Sequence, residues 1–121
     1  RPYTMTFGGT IVLEHADDMA KVFIDAARAR PTQASVYDVG GSAVSVEAIR
    51  QAILAAAPEM AGKLDYNPAP LPVSASSHSD ALEAALGKPR WRPLDEGVRG
   101  TIEQFRSAIA AGRIDVERAM G

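Results

Sequence analysis

The sequence predicts a small α/β domain, an α+β-like lobe of short strands and about four helices. Three observations predict it. Period-two apolar alternation is confined to short stretches such as Met5, Phe7 and Ile11, Leu13. Longer stretches carry apolar residues at helical spacing, the longest being Leu94, Val98, Ile102, Phe105 and Ile109. Glycine and proline punctuate them in the order strand, strand, helix, strand, helix, strand, helix, helix. That order predicts helices on one side of a small sheet.

Met5, Phe7, Ile11 and Leu13 predict two strands joined by a hairpin turn at Gly8-Gly9. Asp17 and Asp18 then open a helix, where a carboxylate can cap free N–H groups and suits the positive end of the helix. Met19, Val22, Phe23, Ala26 and Ala27 give it an apolar face, Arg28 and Arg30 its last turn, and Pro31 its stop. Ser35-Val36-Tyr37-Asp38-Val39 predicts a strand closed by Gly40-Gly41.

Ser45 predicts an N-cap, with Glu47 in the first turn and Val44 and Ile49 in hydrophobic-staple positions. Val46, Ile49, Ile53 and Leu54 form that helix's buried face, and Pro58 follows its end. Lys63 to Tyr66 predicts a third strand region, and the Pro-, Ala- and Ser-rich residues 67–77 an irregular loop. A short helix follows from Asp80 to Leu86, with Gly87 just past its end. The last helix runs from about Leu94 to Ala111 and stops at Gly112, leaving residues 113–121 as a loose tail.

Composition narrows the function. A chain of 121 residues is one domain by length and can bury roughly 65% of its unfolded surface. Zero cysteines exclude disulfides and thiolate metal sites and fit a reducing, cytoplasmic compartment. With 13 basic and 15 acidic side chains, the net charge of -2 leaves no footprint for nucleic acid. No apolar run approaches the roughly 18 residues of a membrane-spanning helix. Position 1 is Arg rather than Met, and strand-like Tyr3 to Phe7 follows at once, which predicts a processed or excised piece.

Five segments stand in one order: Tyr3 to Gly9; His15-Ala16-Asp17-Asp18-Met19-Ala20; Val36-Tyr37-Asp38-Val39-Gly40-Gly41; Ser45-Val46-Glu47-Ala48-Ile49; and Leu86-Gly87-Lys88-Pro89-Arg90-Trp91-Arg92-Pro93-Leu94-Asp95-Glu96-Gly97. Together they resemble the C-terminal, substrate-binding part of the extended short-chain dehydrogenases, the NAD-dependent epimerase/dehydratase family. The resemblance covers residues 3 to about 112. It implies that residues 1–112 are a substrate-binding lobe and 113–121 a C-terminal tail. It also implies that the lobe packs beside an N-terminal Rossmann domain of the same polypeptide. That domain would hold NAD or NADP, and no cofactor is expected on this chain.

The chemistry of that missing domain is not in these residues. Gly8-Gly9 and Gly40-Gly41 lack the spacing of a dinucleotide loop, although the second pair lies between a strand and a helix, where a phosphate nest would be the alternative to a plain turn. A tyrosine activated by a lysine one helical turn later is also missing: Tyr3, Tyr37 and Tyr66 are followed at that spacing by Phe7, Gly41 and Pro70. Ser77-His78-Ser79-Asp80 holds the residue types of a hydrolase triad, but side by side, and chain neighbours do not usually converge. The two histidines show no metal-binding spacing. No catalytic residue is therefore assigned to the chain.

The resemblance nominates His15 as a substrate-contacting residue, and the cations around an aromatic ring nominate Trp91 and Arg92. His15 reads either as a polar contact at the domain boundary or as a structural histidine at a helix start. Lys88, Arg90 and Arg92 around Trp91 read either as an anion or stacking site or as a solvated turn with Trp91 over the last helix. Nucleotide-sugar enzymes of the family carry an arginine about four residues before the histidine and another ahead of the Leu-Gly helix. Here the first position is Ile11, and residues 64–87 contain no Lys or Arg. Losing both removes charge-assisted grip on a diphosphate and widens the substrate class beyond nucleotide sugars, to sugars, sugar acids and other small hydroxy or keto compounds.

Two functions fit. One is the specificity lobe of an NAD(P)-dependent epimerase, dehydratase or dehydrogenase, not catalytic by itself. The other is a stand-alone, non-enzymatic module that binds a small ligand or a protein. The first predicts an apolar face left uncovered where the Rossmann domain would sit, at the first strands or the residue 67–77 loop, and with it a tendency to homo-oligomerise.

Overall fold

The computed structural model of the chain describes residues 1–29, 34–72 and 79–120. It is a small α+β domain. Its strands are β1 (Tyr3–Met5), β2 (Thr10–Leu13), β3 (Ser42–Ser45) and β4 (Leu64–Tyr66). Its helices are α1 (Ala16–Arg28), α2 (Val46–Ala56), α3 (Asp80–Leu86), α4 (Leu94–Ala110) and α5 (Val116–Met120), with a 3-10 turn at Pro58–Met60.

The strands form two separate pairs. β1 runs parallel to β4, with Thr4 opposite Asp65, and β2 runs antiparallel to β3, with Ile11 opposite Val44. The expected hairpin at Gly8-Gly9 is therefore absent. Gly8 continues along the first pair, donating its N–H to Ala69 O at 2.8 Å and bridging to Pro70. A Cβ there would lie 2.6 Å from Asn67 O, so only glycine lets the two backbones approach. Gly9, at φ 77°, turns the chain into the second pair, and its carbonyl accepts from Val46 N at 2.9 Å. The pair marks a switch between sheets rather than a turn within one.

The strand expected at Ser35 to Val39 is also displaced. Residues 34–41 hold no regular structure, and Val36 is 98% exposed. The third strand begins after the glycines, at Ser42. The reason lies at Gly41, where a Cβ would meet Val12 Cγ1 at 2.7 Å and Leu13 O at 2.9 Å. The bare backbone nests against β2 and delivers Ser42–Ser45, not Ser35–Val39, into register with it.

The helices follow the sequence more closely. Ser45 Oγ accepts from Ala48 N at 3.0 Å and caps α2 as expected. Val46, the first residue of α2, is fully buried, while Ile49, Ile53 and Leu54 are half-buried. α2 packs on α4 and on β3, β4 and the 3-10 turn, so it is the centre of the domain. α3 spans Asp80–Leu86, and Gly87 at φ 82° ends it. α4 ends before Gly112, at φ 66°. Beyond it, Val116–Met120 form a one-turn helix where a loose tail was expected. The predicted stop of α1 at Arg30-Pro31 and residues 73–77 of the predicted loop lie outside the described residues.

The core is thin. Among the described residues the buried hydrophobics are Val46, Ala57, Leu64 and Leu82. Phe23 and Ile24 of α1, and Phe105 and Ile109 of α4, remain exposed, Phe23 to 70% and Phe105 to 57%. The stripe along α4 therefore divides: Leu94, Val98 and Ile102 line a cleft, and the remainder faces outward. Among the described residues no helix is long and apolar enough to cross a membrane.

Candidate functional site

A cleft of about 220 Å³ lies between the β2–β3 pair and the first half of α4. Leu13 and Val44 line one wall, and Leu94, Val98 and Ile102 the other. Strand alternation sends Leu13 and Val44 to the same side of their pair, and the four-residue spacing on α4 stacks its three side chains on one helix face. His15 and Arg92 also line the cleft.

His15 is the N-cap of α1, the position expected for Asp17 or Asp18. Its Nδ1 accepts from Asp17 N at 3.2 Å. Histidine takes this place because its extended backbone (φ -78°, ψ 139°) and ring nitrogen meet the same requirement as an aspartate oxygen. Asp17 and Asp18 then fall in the first turn, where their charge suits the helix end.

That shift frees Asp18 for another partner. Arg92 N donates to Asp18 Oδ2 at 2.7 Å, and Arg92 Nη2 donates to Oδ1 at 3.3 Å. Arg92 also lies 3.6 Å from Asp17 Oδ2 and 3.9 Å from Glu96 Oε1. Its Nη1 is 3.4 Å from His15 Nε2. Two of the nominated residues, His15 and Arg92, are thus brought together across 77 positions of sequence. The third is not: Trp91 is half-buried and lines none of the cavities described here.

Lys88 and Arg90 are exposed and line a smaller hollow of about 150 Å³ beside α1, shared with Asp18, Lys21 and Asp25. Arg90 and Arg92 also border a further hollow with Asp18 and Glu96, so the basic cluster around Trp91 faces carboxylates on each side. Arg92 in particular is already neutralised by Asp18, so it is a strut rather than an open anion receptor.

The glycine pairs do not cradle a dinucleotide. The spaces above Gly8 and Gly41 are filled by the chain itself, at Asn67-Pro68 and at β2. A pyrophosphate has no bare backbone to approach at either place. Ser79 Oγ donates to Glu83 Oε1 at 2.9 Å within its own helix turn, while Ser77 and His78 lie outside the described residues. Among the described residues no group of three or more His, Asp or Glu side chains could hold a metal ion.

Asp18 is the residue that sequence reasoning missed. Its identity suggested a local cap, and nothing within its own segment signals a partner 74 positions away. No family model matches the chain, and no curated protein or solved structure matches it.

Proposed function

We propose that the chain is the substrate-specificity lobe of an NAD(P)-dependent epimerase, dehydratase or dehydrogenase, working in the cytoplasm on a small hydroxy or keto compound. Cofactor, acid/base pair and hydride transfer would belong to a Rossmann domain of the same polypeptide.

One observation carries the reading. His15, from the His-Ala-Asp-Asp segment, and Arg92, Pro93, Leu94 and Gly97, from the segment after the Leu-Gly turn, line the same cleft. These are two of the stretches on which the resemblance rests, and they converge on a cleft of about 220 Å³, room for a compound of roughly benzene size. The uncovered apolar side chains Phe23, Ile24, Phe105 and Ile109 support it as well, since they supply surface for another domain or another copy to cover.

The test is the coding sequence ahead of Arg1, followed by assay of the whole polypeptide. The reading expects a glycine-rich loop between a strand and a helix, then Tyr-x-x-x-Lys, and NAD-linked turnover that the isolated chain lacks. An upstream sequence without these motifs would leave the stand-alone binding module as the better account.

A further inference from the structure

We infer that α1 is a docking surface for a second copy of this chain, the two α1 helices packing antiparallel about a two-fold axis. The inference goes beyond the specificity-lobe reading and does not rest on it.

α1 turns much of its apolar surface away from the domain. Its half-buried positions are Asp18, Met19, Val22, Asp25 and Ala26, so the body of the domain covers that side. The neighbouring side carries Ala16, Ala20, Phe23, Ile24 and Ala27, all exposed, Phe23 to 70% and Ile24 to 49%. No residue of the helix is buried, and α1 is not among the elements that pack most closely on one another. A helix of this length draws most of its stability from packing an apolar face, and here that face is left in water. A membrane surface is a poor match for it. The rest of the helix carries Asp17, Asp18 and Asp25 against Lys21 and Arg28, not the excess of Lys and Arg that binds anionic lipid.

The exposed side is self-complementary. Ala16, Ala20, Phe23 and Ala27 are spaced four, three and four residues apart, along one face of the helix. That spacing reads the same in either direction. Two antiparallel copies therefore set Ala16 against Ala27 of the second copy, and Ala20 against Phe23 of the second copy. Each ring meets an alanine that leaves room for it, and the alanines at the ends let the backbones approach.

Charge selects the same direction. Asp17, Ile24 and Arg28 lie along one edge of that face. A two-fold axis places this edge of one helix beside the same edge of the other, with Asp17 near Arg28 of the second copy. Asp17 is 61% exposed, and Arg28 has no ion-pair partner among the described residues. A parallel pair would bring the two acidic first turns together instead.

Size sets the strength. A helix of 13 residues is about 20 Å long, and one pair of such helices falls short of the roughly 1,200 Å² that stable complexes bury. The dimer is therefore transient, with a Kd between roughly 1 μM and 1 mM.

The experiment follows sedimentation of the 121-residue chain across that range of concentration. Monomer should give way to dimer. Phe23→Glu should raise the Kd at least about tenfold, as expected for an aromatic at the centre of an interface. Phe23 is exposed in the monomer, so the variant should keep its fold, which circular dichroism checks. Cross-linking reads the orientation and decides the matter even if that variant unfolds. The chain has no cysteine of its own, so introduced thiols report alone. An equimolar mixture of Ala16→Cys and Ala27→Cys chains in a glutathione buffer should form mostly the mixed disulfide. A chain that stays monomeric, a folded Phe23→Glu variant that dimerises as before, or disulfides in statistical proportion or mostly between like chains would each overturn the inference. The lobe assignment is decided separately by the upstream sequence, so either conclusion can fail without the other.

Discussion

Arg92 and Asp18 are joined twice, through backbone and through side chain. The Arg92 amide donates to Asp18 Oδ2 at 2.7 Å and its guanidinium to Oδ1 at 3.3 Å. Asp18 is only 13% exposed, so water competes weakly for it. The pair fastens the N-terminal end of α1 to the segment that leads into α4, and α1 contains no buried residue to hold it otherwise.

Removing that tie should cost more than a surface ion pair. Asp18→Ala is expected to lower the unfolding free energy by about 1–3 kcal/mol, the range for hydrogen bonds to charged groups and for a donor left unpaired. Asp18→Asn should cost less, because its amide oxygen still accepts from the Arg92 amide. Urea unfolding of both variants measures this. A loss in D18A below about 0.5 kcal/mol, the scale of ordinary surface changes, would show that the contact does not anchor α1.

The two glycines inside α4 should respond differently to alanine. A Cβ at Gly100 meets nothing within 4 Å, so Gly100→Ala should stabilise the domain by about 0.5–1 kcal/mol through helix propensity alone. At Gly97 the Cβ touches the His15 ring at 3.4 Å, and the gain should be smaller. Thermal melts of the two variants, run side by side, check the order.

Ser45 ends β3 and caps α2 with the same residue. Ser45→Ala should cost about 1 kcal/mol, typical of a lost N-cap. The effect should reach Val46, whose fully buried side chain follows directly. Amide exchange at the start of α2 should quicken, and an unchanged rate would count against the cap.

Glu59 ties the 3-10 turn to α4 through Arg106. Its carboxyl titrates below the ordinary glutamate value: a backbone hydrogen bond at Glu59 lowers it most, desolvation raises it by less, and Arg106 and then Lys63 lower it further. A depressed folded pKa means the pair supports the fold above the unfolded glutamate's pKa, about 4.3. That support fades as pH falls through the lower, folded value. An NMR titration of the Glu59 carboxyl should show the depression, and Arg106→Ala should partly reverse it. A normal value in the unmodified chain would remove the pair from the account of acid stability.

The sequence by itself determined what local physics can encode. The Ser45 cap, the Gly87 and Gly112 stops, the α4 stripe and the β4 strand all depend on neighbours a few residues away, and all are where spacing and punctuation put them. So is the α+β class, which follows from their order. Tertiary structure decided how the pieces meet. Gly8-Gly9 and Gly40-Gly41 are legible as backbone that must bend or approach closely, but not as a switch between sheets or a nest against Val12, because the partner chain lies far away in sequence. Ser35 to Val39 has the composition of a strand and, among the described residues, no strand beside it, and a strand exists only with a neighbour to bond. His15 and Arg92 could be nominated singly. Their meeting over an apolar cleft, with Asp18 as the clasp, required the fold, since a hydrogen bond spanning 74 positions leaves no periodicity to read.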